Sequence, residues 1–329
     1  MKTIYFLEKS FSFDANDLNS KKIAGSEKTL INISNEIAKN NNIKVKVFNN
    51  IQHQVNINNV DWIPINKLEE FDIPNVVISM SDMNLFPNYK CKKYLWSHSV
   101  QTFEKFIRKN QMVPFFKHSP KIILEGDYHY KKRGWLTSLF GKSIVKICPD
   151  YDFIYQKIDK TFVPKKNVIF NTRPDRNIRI VIDAWKNIKK KVPDANLYIN
   201  PPYNLSDEEK NLDIKLREKG EKHKLIDQLV NSKLMINPGH KGEVFCLVAD
   251  EARELCVPIV TYGYGALYER VKNNNTGYIC KDFDDLINKS ILILNDDNHY
   301  LSLKSNLFKL KGHRTYKDVA NDLLKTINI

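Results

Sequence analysis

At 329 residues, 42% of them apolar, the chain is long enough for two domains that each bury a core, and it contains no run of about 18 apolar residues that would read as a membrane span. Its 52 basic and 38 acidic residues give a formal charge of +14, which points to a polyanionic partner: an anionic membrane, a phosphorylated donor or nucleic acid. Five scattered cysteines, Cys91, Cys148, Cys246, Cys256 and Cys280, lack the C-x-x-C spacing of a zinc or redox site, so reduced, partly buried thiols are expected.

The first seven residues read as a strand over Thr3 to Leu7 rather than a signal peptide, because the apolar stretch is short and no small-residue cleavage site follows. A cytosolic protein is expected. Glu27 to Lys39 reads as a helix with Leu30, Ile33 and Ile37 on one face, and Ile43 to Phe48 as the next strand, completing a βαβ unit. Between strand and helix, Gly25 lets backbone approach a ligand and Ser26 can cap the helix; an ordinary capped turn explains the same residues.

Further short strands are expected at Asn75 to Ser79, Lys93 to Ser97 and Lys121 to Leu124, an alternation that argues for a parallel sheet covered on both faces. His98 follows one of these strands, at the carboxyl edge where α/β proteins bind ligands, whereas His118, His129 and His313 have no comparable address. Between Lys92 and Lys146, twelve basic residues face only Glu104, Glu125 and Asp127, with Trp96, Phe103, Phe106, Phe115, Phe116 and Trp135 interleaved. Two readings fit: a surface that meets lipid headgroups, or a solvated basic face over an aromatic core.

After a basic stretch from Tyr155 to Lys166, the pattern restarts. Asn167 to Phe170 reads as a strand, Ile178 to Lys191 as a helix ended by Pro193, and Asn196 to Ile199 as a strand. Asn204 to Lys224 is expected to be a mobile polar insert with a helix but no strand. Strands follow at Leu234, at Pro258 to Thr261 and at Gly277 to Ile279, and a last helix at Tyr316 to Ile327. Arg173 and Arg176 sit between a strand and a helix N-terminus, where two guanidinium groups can neutralise a diphosphate; a surface arginine pair is the plainer account.

The densest signal lies between Gly242 and Ala252. Pro238-Gly239 stops a buried strand, and a helix is expected to start within Val244 to Leu247, with Glu243 at its mouth and Glu251 two turns along. A wholly helical span would put the carboxylates roughly 12 Å apart. Free N–H groups of Val244, Phe245, Cys246 and Leu247 would make an anion site at such a start. On these residues alone, Glu243 complementing the helix dipole and Glu251 facing solvent is an equal reading.

Glu243 through Glu251 and Ala252, followed by Cys256-Val257-Pro258-Ile259-Val260, resembles the E-x7-E segment of retaining GT-B glycosyltransferases of family 4, written E-G-F-G-L-x-x-x-E-A with a later G-x-P-V-V. Ala24-Gly25-Ser26-Glu27 is similar to its G-G-x-E, with Ala24 replacing the first glycine. Trp96-Ser97-His98 is similar to its W-x-H, and Arg173 to Asn177 to its G-R-x-x-x-x-K-G, in a loop two residues shorter. Cys148 to Asp152, Gly265 to Val271 and Thr276 to Tyr278 match P-N-G-V-D, G-G-x-x-E-x-V and T-G-x in the right order.

The resemblance implies an α/β GT-B architecture, two Rossmann-like domains facing a central cleft: residues 1–156 on the acceptor side, a linker at 157–166, a nucleotide-sugar donor domain at 167–312, and a terminal helix at 313–329 packing back toward the first domain. It implies a retaining, metal-independent hexosyltransferase that needs no cofactor and uses a UDP- or GDP-sugar donor and a glycan, lipid or small-molecule hydroxyl acceptor. Glu243 is assigned to the sugar, Glu251 to the ribose, Arg176 and Arg173 to the diphosphate, His240 to the sugar or a phosphate, and His98 to the acceptor. The competing expectation is a non-catalytic nucleotide-sugar binder or scaffold derived from the same fold, favoured by the apparent absence of a strand between Ile199 and Leu234. Peripheral contact with an anionic membrane is a further expectation. Specific nucleic-acid binding is not expected, since no binding module is present.

Overall fold

The computed structural model describes residues 1–19, 23–218 and 222–329, and the chain divides into two compact units. Unit 1 comprises Met1–Cys148 with Arg314–Ile329, and unit 2 comprises Pro149–His313.

Unit 1 is built on an eight-stranded sheet: β1 (Lys2–Leu7), β2 (Ile43–Asn49), β3 (Val55–Ile57), β4 (Val60–Pro64), β5 (Val76–Met80), β6 (Lys92–Trp96), β7 (Lys121–Leu124) and β8 (Lys142–Ile144). The order is β3-β4-β2-β1-β5-β6-β7-β8, parallel throughout except where β3 pairs antiparallel with β4. Ile4 of β1 lies between Val45 and Val76, so the central strands are apolar on both faces, as crossover helices require. The β3–β4 hairpin lies outside the elements expected from sequence. Its turn is Asn58-Asn59, both left-handed at φ 56° and 61°, the conformation that asparagine tolerates and a two-residue hairpin needs.

The Gly25–Ala38 helix takes Ala24, not Ser26, as its N-cap; Glu27 reaches back to accept from the Ala24 N–H at 3.1 Å, and Ser26 donates to the same carboxylate at 3.0 Å. The Tyr316–Ile327 helix belongs to this unit, packs on the Gly25–Ala38 helix, and buries Val319, Leu323 and Ile327 fully. Arg314 anchors its start, donating to the Lys146 carbonyl and to Asp322.

Unit 2 carries a six-stranded, wholly parallel sheet: β9 (Asn167–Phe170), β10 (Asn196–Ile199), β11 (Ile214–Leu216), β12 (Leu234–Ile236), β13 (Ile259–Thr261) and β14 (Gly277–Ile279), in the order β11-β10-β9-β12-β13-β14. The strand expected to be missing is therefore present as β11. It lies at the sheet edge with only Ile214 buried, so it carries no apolar alternation to read. The 204–224 stretch is thus not a featureless insert: it holds a short helix at Asp207–Asn211, β11 and the start of the Lys222–Val230 helix, and its residues 219–221 lie outside the described ones.

The Ile178–Lys191 helix buries Val181, Ile182, Trp185 and Ile188 at helical spacing, and the Trp185 indole N–H donates to the Leu212 carbonyl at 2.8 Å. Three lysines in its last turn complement the helix dipole. Two capped helices that the sequence reading passed over, Phe283–Asn295 and Asp297–Phe308, close the unit behind Asp282 and Asp296.

Leu323→Ala should cost unit 1 about 2–5 kcal/mol, as cavity creation in a packed core does. Chemical denaturation followed by circular dichroism would measure it, and an unchanged midpoint would show that the terminal helix adds nothing to the core.

Candidate functional site

In a parallel sheet the loops after the strands carry the polar residues, and in unit 2 three such loops converge. Asn171 to Asn177 follows β9, Asn237 to Cys246 follows β12, and Tyr262 to Ala266 follows β13. Asn177 stands in the left-handed region at φ 65° and donates from its side chain to the Gly239 carbonyl at 2.6 Å, tying the first loop to the second. Gly265, at φ 69°, ties the third: the Ala266 N–H donates to the Glu243 carbonyl at 2.9 Å.

These ties bring Arg176, His240 and Glu243 together. The Arg176 guanidinium and the Gly242 N–H both donate to His240 Nδ1, the latter at 3.0 Å, so Nδ1 is an acceptor and the ring proton lies on Nε2. Burial pushes the Glu243 carboxyl up, and a hydrogen bond from the Cys246 thiol and the charge of Arg176 pull against it. Its Oε2 is buried without a protein partner among the described residues. Cys246 is itself wholly buried and its thiol is pushed well above the ordinary range, so it serves as a donor to Glu243 and not as a nucleophile.

The helix after Glu243 spans Leu247–Glu254, with Cys246 as its N-cap in a left-handed conformation. The expected span is thus not helical from Glu243, and the 12 Å arithmetic does not apply. Val244, Phe245 and Cys246 precede the helix as buried residues, and Leu247 alone of the expected N–H set lies in its first turn.

Glu251 lies half-buried on that helix and supports Arg217, whose guanidinium burial lowers and Glu251 raises. Arg217 closes β11 and donates to Asn200 at 2.9 Å and to Gln228 at 3.1 Å. Sequence reading missed it because β11 itself was missed. Arg173 is exposed and engaged in a bidentate pair with Asp175 at 2.7 and 3.0 Å, apart from the Arg176 cluster.

Unit 1 has its own polar cluster at the carboxyl ends of β1, β6 and β7. His98 Nδ1 meets Glu125 Oε1 at 2.6 Å, the ring stacks on Trp96, and its backbone N–H donates to Ser81. Burial lowers the imidazole, but Glu125 beside it, with Glu27 and Glu8 further off, more than offsets this and holds it above its ordinary range. Its Nε2 is buried without a partner among the described residues. His129 Nδ1 accepts from the Glu125 N–H at 3.3 Å, fixing the loop that carries the carboxylate. Gly25 and Ser26 open the helix whose Glu27 contributes to this field.

The two units, each a parallel sheet with helical crossovers and a polar cluster at the strand ends, define a GT-B protein. Residues 158–309 match the family described as Glycosyl transferases group 1, so unit 2 carries a group 1 glycosyltransferase domain. Solved structures agree on the fold. Anabaena HepE in complex with UDP-glucose is similar at 13% identity and TM-score 0.71, over 100% of both chains. A structure described as trehalose-6-phosphate from E. coli bound with UDP-2-fluoro glucose is similar at 7% identity and TM-score 0.71, over 99% of each. S. aureus TarM, solved with fondaparinux, alpha-GlcNAc-glycerol and UDP, is similar at 17% identity and TM-score 0.59 over 77% of this chain, which spans 55% of that protein. No curated protein sequence matches the chain.

A Cβ on Gly265 would stand 2.3 Å from the His240 carbonyl and 2.8 Å from that of Glu243, at a positive φ. Gly265→Ala should therefore cost about 1–3 kcal/mol and displace the loop carrying both side chains, read as a lowered Tm in thermal denaturation. The His98 imidazolium contributes stability that is complete below its unfolded pKa of about 6.5 and is lost as pH rises through the higher folded value. Glu125→Gln should pull the His98 titration, followed by NMR, downward and remove the wild type's advantage in unit 1 stability near pH 6. An unmoved titration would break the pairing.

Proposed function

We propose that the protein is a retaining glycosyltransferase that moves a hexose from a nucleotide diphosphate sugar to a hydroxyl acceptor. The observation that carries this reading is the Arg176–His240–Glu243 cluster, gathered at strand carboxyl ends inside the matched group 1 domain. The UDP and UDP-sugars in the similar structures favour UDP over GDP as the donor base.

In this reading Arg176, with the N–H groups of the Leu247–Glu254 helix start, meets the charge that grows on the departing diphosphate, a task for which no divalent metal is required. The His240 Nε2–H faces the transferred sugar or a phosphate. The unpartnered Glu243 oxygen accepts from sugar hydroxyls and orients them, leaving the acceptor to attack from the face the leaving group vacates, which retains configuration. Glu251, on the helix behind, takes the ribose with Arg217 beside it. His98 serves the acceptor: with Nδ1 held by Glu125, its Nε2–H is free to position a hydroxyl oxygen.

Glu243→Gln should lower transfer about 10²–10³-fold with UDP affinity nearly unchanged, and melt no lower than wild type at pH 7, since burial already disfavours its charge. Arg176→Ala should weaken UDP-sugar binding about tenfold or more. Release of UDP from UDP-sugars, with a chelator present, and the anomeric configuration of the product by NMR would check both. An inverted product would overturn retention, and tight donor binding with neither transfer nor hydrolysis would establish a non-catalytic binder.

A further inference from the structure

The aromatic residues interleaved with basic ones in unit 1 divide into two sets. Trp96, Phe106 and Phe115 are fully buried and form core. Phe103, Ile107, Val113, Phe116, Trp135 and Leu139 are exposed, Val113 by 75% and Trp135 by 66%. Among the described residues they are six of the nine exposed large apolar side chains of unit 1, gathered within residues 103–139. An apolar concentration of this kind on a surface marks contact with something other than water.

The six fall on two helices and one connecting segment. Phe103 and Ile107 lie four apart on the Phe103–Arg108 helix, beside buried Phe106, and Val113 and Phe116 lie three apart on the Met112–His118 helix, away from buried Phe115. The segment from Trp135 to Phe140 joins them: Trp135 stacks on Phe103 at 6.2 Å, and Phe140, next to Leu139, meets Phe116 at 6.4 Å.

Cations flank these residues along the chain. Among the described residues, the side chains of Arg108, Lys109, Lys117, Lys131 and Lys132 are exposed and make no ion pair, whereas Asp127 is engaged by Lys146. Lys105, half-buried on the same helix as Arg108, is pushed down to about 8, chiefly by burial and further by the charges of Lys109 and Arg108.

We propose that this face docks unit 1 on an anionic phospholipid surface, with the apolar side chains entering the interfacial layer and the unpaired cations meeting lipid phosphates. The charge complementarity selects the partner. Exposed Trp and Phe suit a boundary that is apolar on one side and wet on the other, and clustered Lys and Arg meet the negative surface of acidic lipids. A nucleic acid would use the cations but leave protruding Val113 and Leu139 unexplained. The proposal stands apart from the catalytic reading, because lipid binding is measured without turnover.

The molecule supplies its own probe. Of four tryptophans, Trp62, Trp96 and Trp185 are fully buried, so Trp135 alone reports on the surface. Vesicles of phosphatidylcholine with about a third phosphatidylglycerol should pellet the protein and shift its tryptophan emission to the blue, with tenfold or more weakening in pure phosphatidylcholine. Trp135→Phe should keep binding and lose the shift. Phe116→Ser with Trp135→Ser, and separately Arg108→Glu with Lys109→Glu, should each weaken binding about tenfold or more, while Lys190→Glu with Lys191→Glu in unit 2 should not. Binding unaffected by either patch variant, no shift from Trp135 on bound vesicles, or capture of an RNA oligonucleotide in place of vesicles would each overturn the proposal.

Discussion

Parallel strands buried on both faces impose the constraint on which everything else in this molecule depends. Neither face of such a strand can hold an unpaired polar group, so chemistry is confined to the strand ends. In unit 2 the loops after β9, β11 and β12 supply Arg176, Arg217, His240 and Glu243; in unit 1 those after β1, β6 and β7 supply Glu8, His98 and Glu125. The sheets decide the address, and the loops then decide what the address can bind.

Within unit 2 the decisive loop interactions are between backbone and side chain. His240 Nδ1 accepts two hydrogen bonds, which fixes both the ring and its tautomer, and the Glu243 backbone is clamped at both ends, by His240 through its N–H and by Ala266 through its carbonyl. The carboxylate is thereby buried at an energetic cost that Arg176 and Cys246 only partly offset. A ligand hydroxyl donating to Oε2 would remove the remainder. Preorganisation of this kind would make the pocket around Glu243 selective for donors of hydrogen bonds under the proposed reading.

Most of this was legible in sequence wherever apolar periodicity was strong. The Ile178–Lys191 helix and the strands at 167–170, 196–199 and 277–279 follow from it directly. β11 and the β3–β4 hairpin were not legible by that route, because an edge strand needs little apolar surface and the hairpin signal lay in Asn58-Asn59 rather than in a glycine. The residue types at the site were legible, but their groupings were not. That Arg173 is taken by Asp175 and that a cysteine thiol serves Glu243 depend on how each short loop turns, and that Glu251 lies by Arg217 depends on elements distant in the chain meeting at the sheet edge.

The net charge of +14 divides on the same physical grounds. Much of unit 2's basic charge is neutralised locally, as in Arg253 with Asp250 and Glu254, Lys189 with Asp213, and Lys222 with Asp150 and Asp152. Charges paired in this way add little to a long-range field. The unpaired cations of residues 103–135 are different: they lie in water beside exposed apolar side chains. A surface that is both cationic and apolar is satisfied by a partner that is both anionic and apolar. A bilayer of acidic lipid combines the two over an area wide enough to take both helices at once.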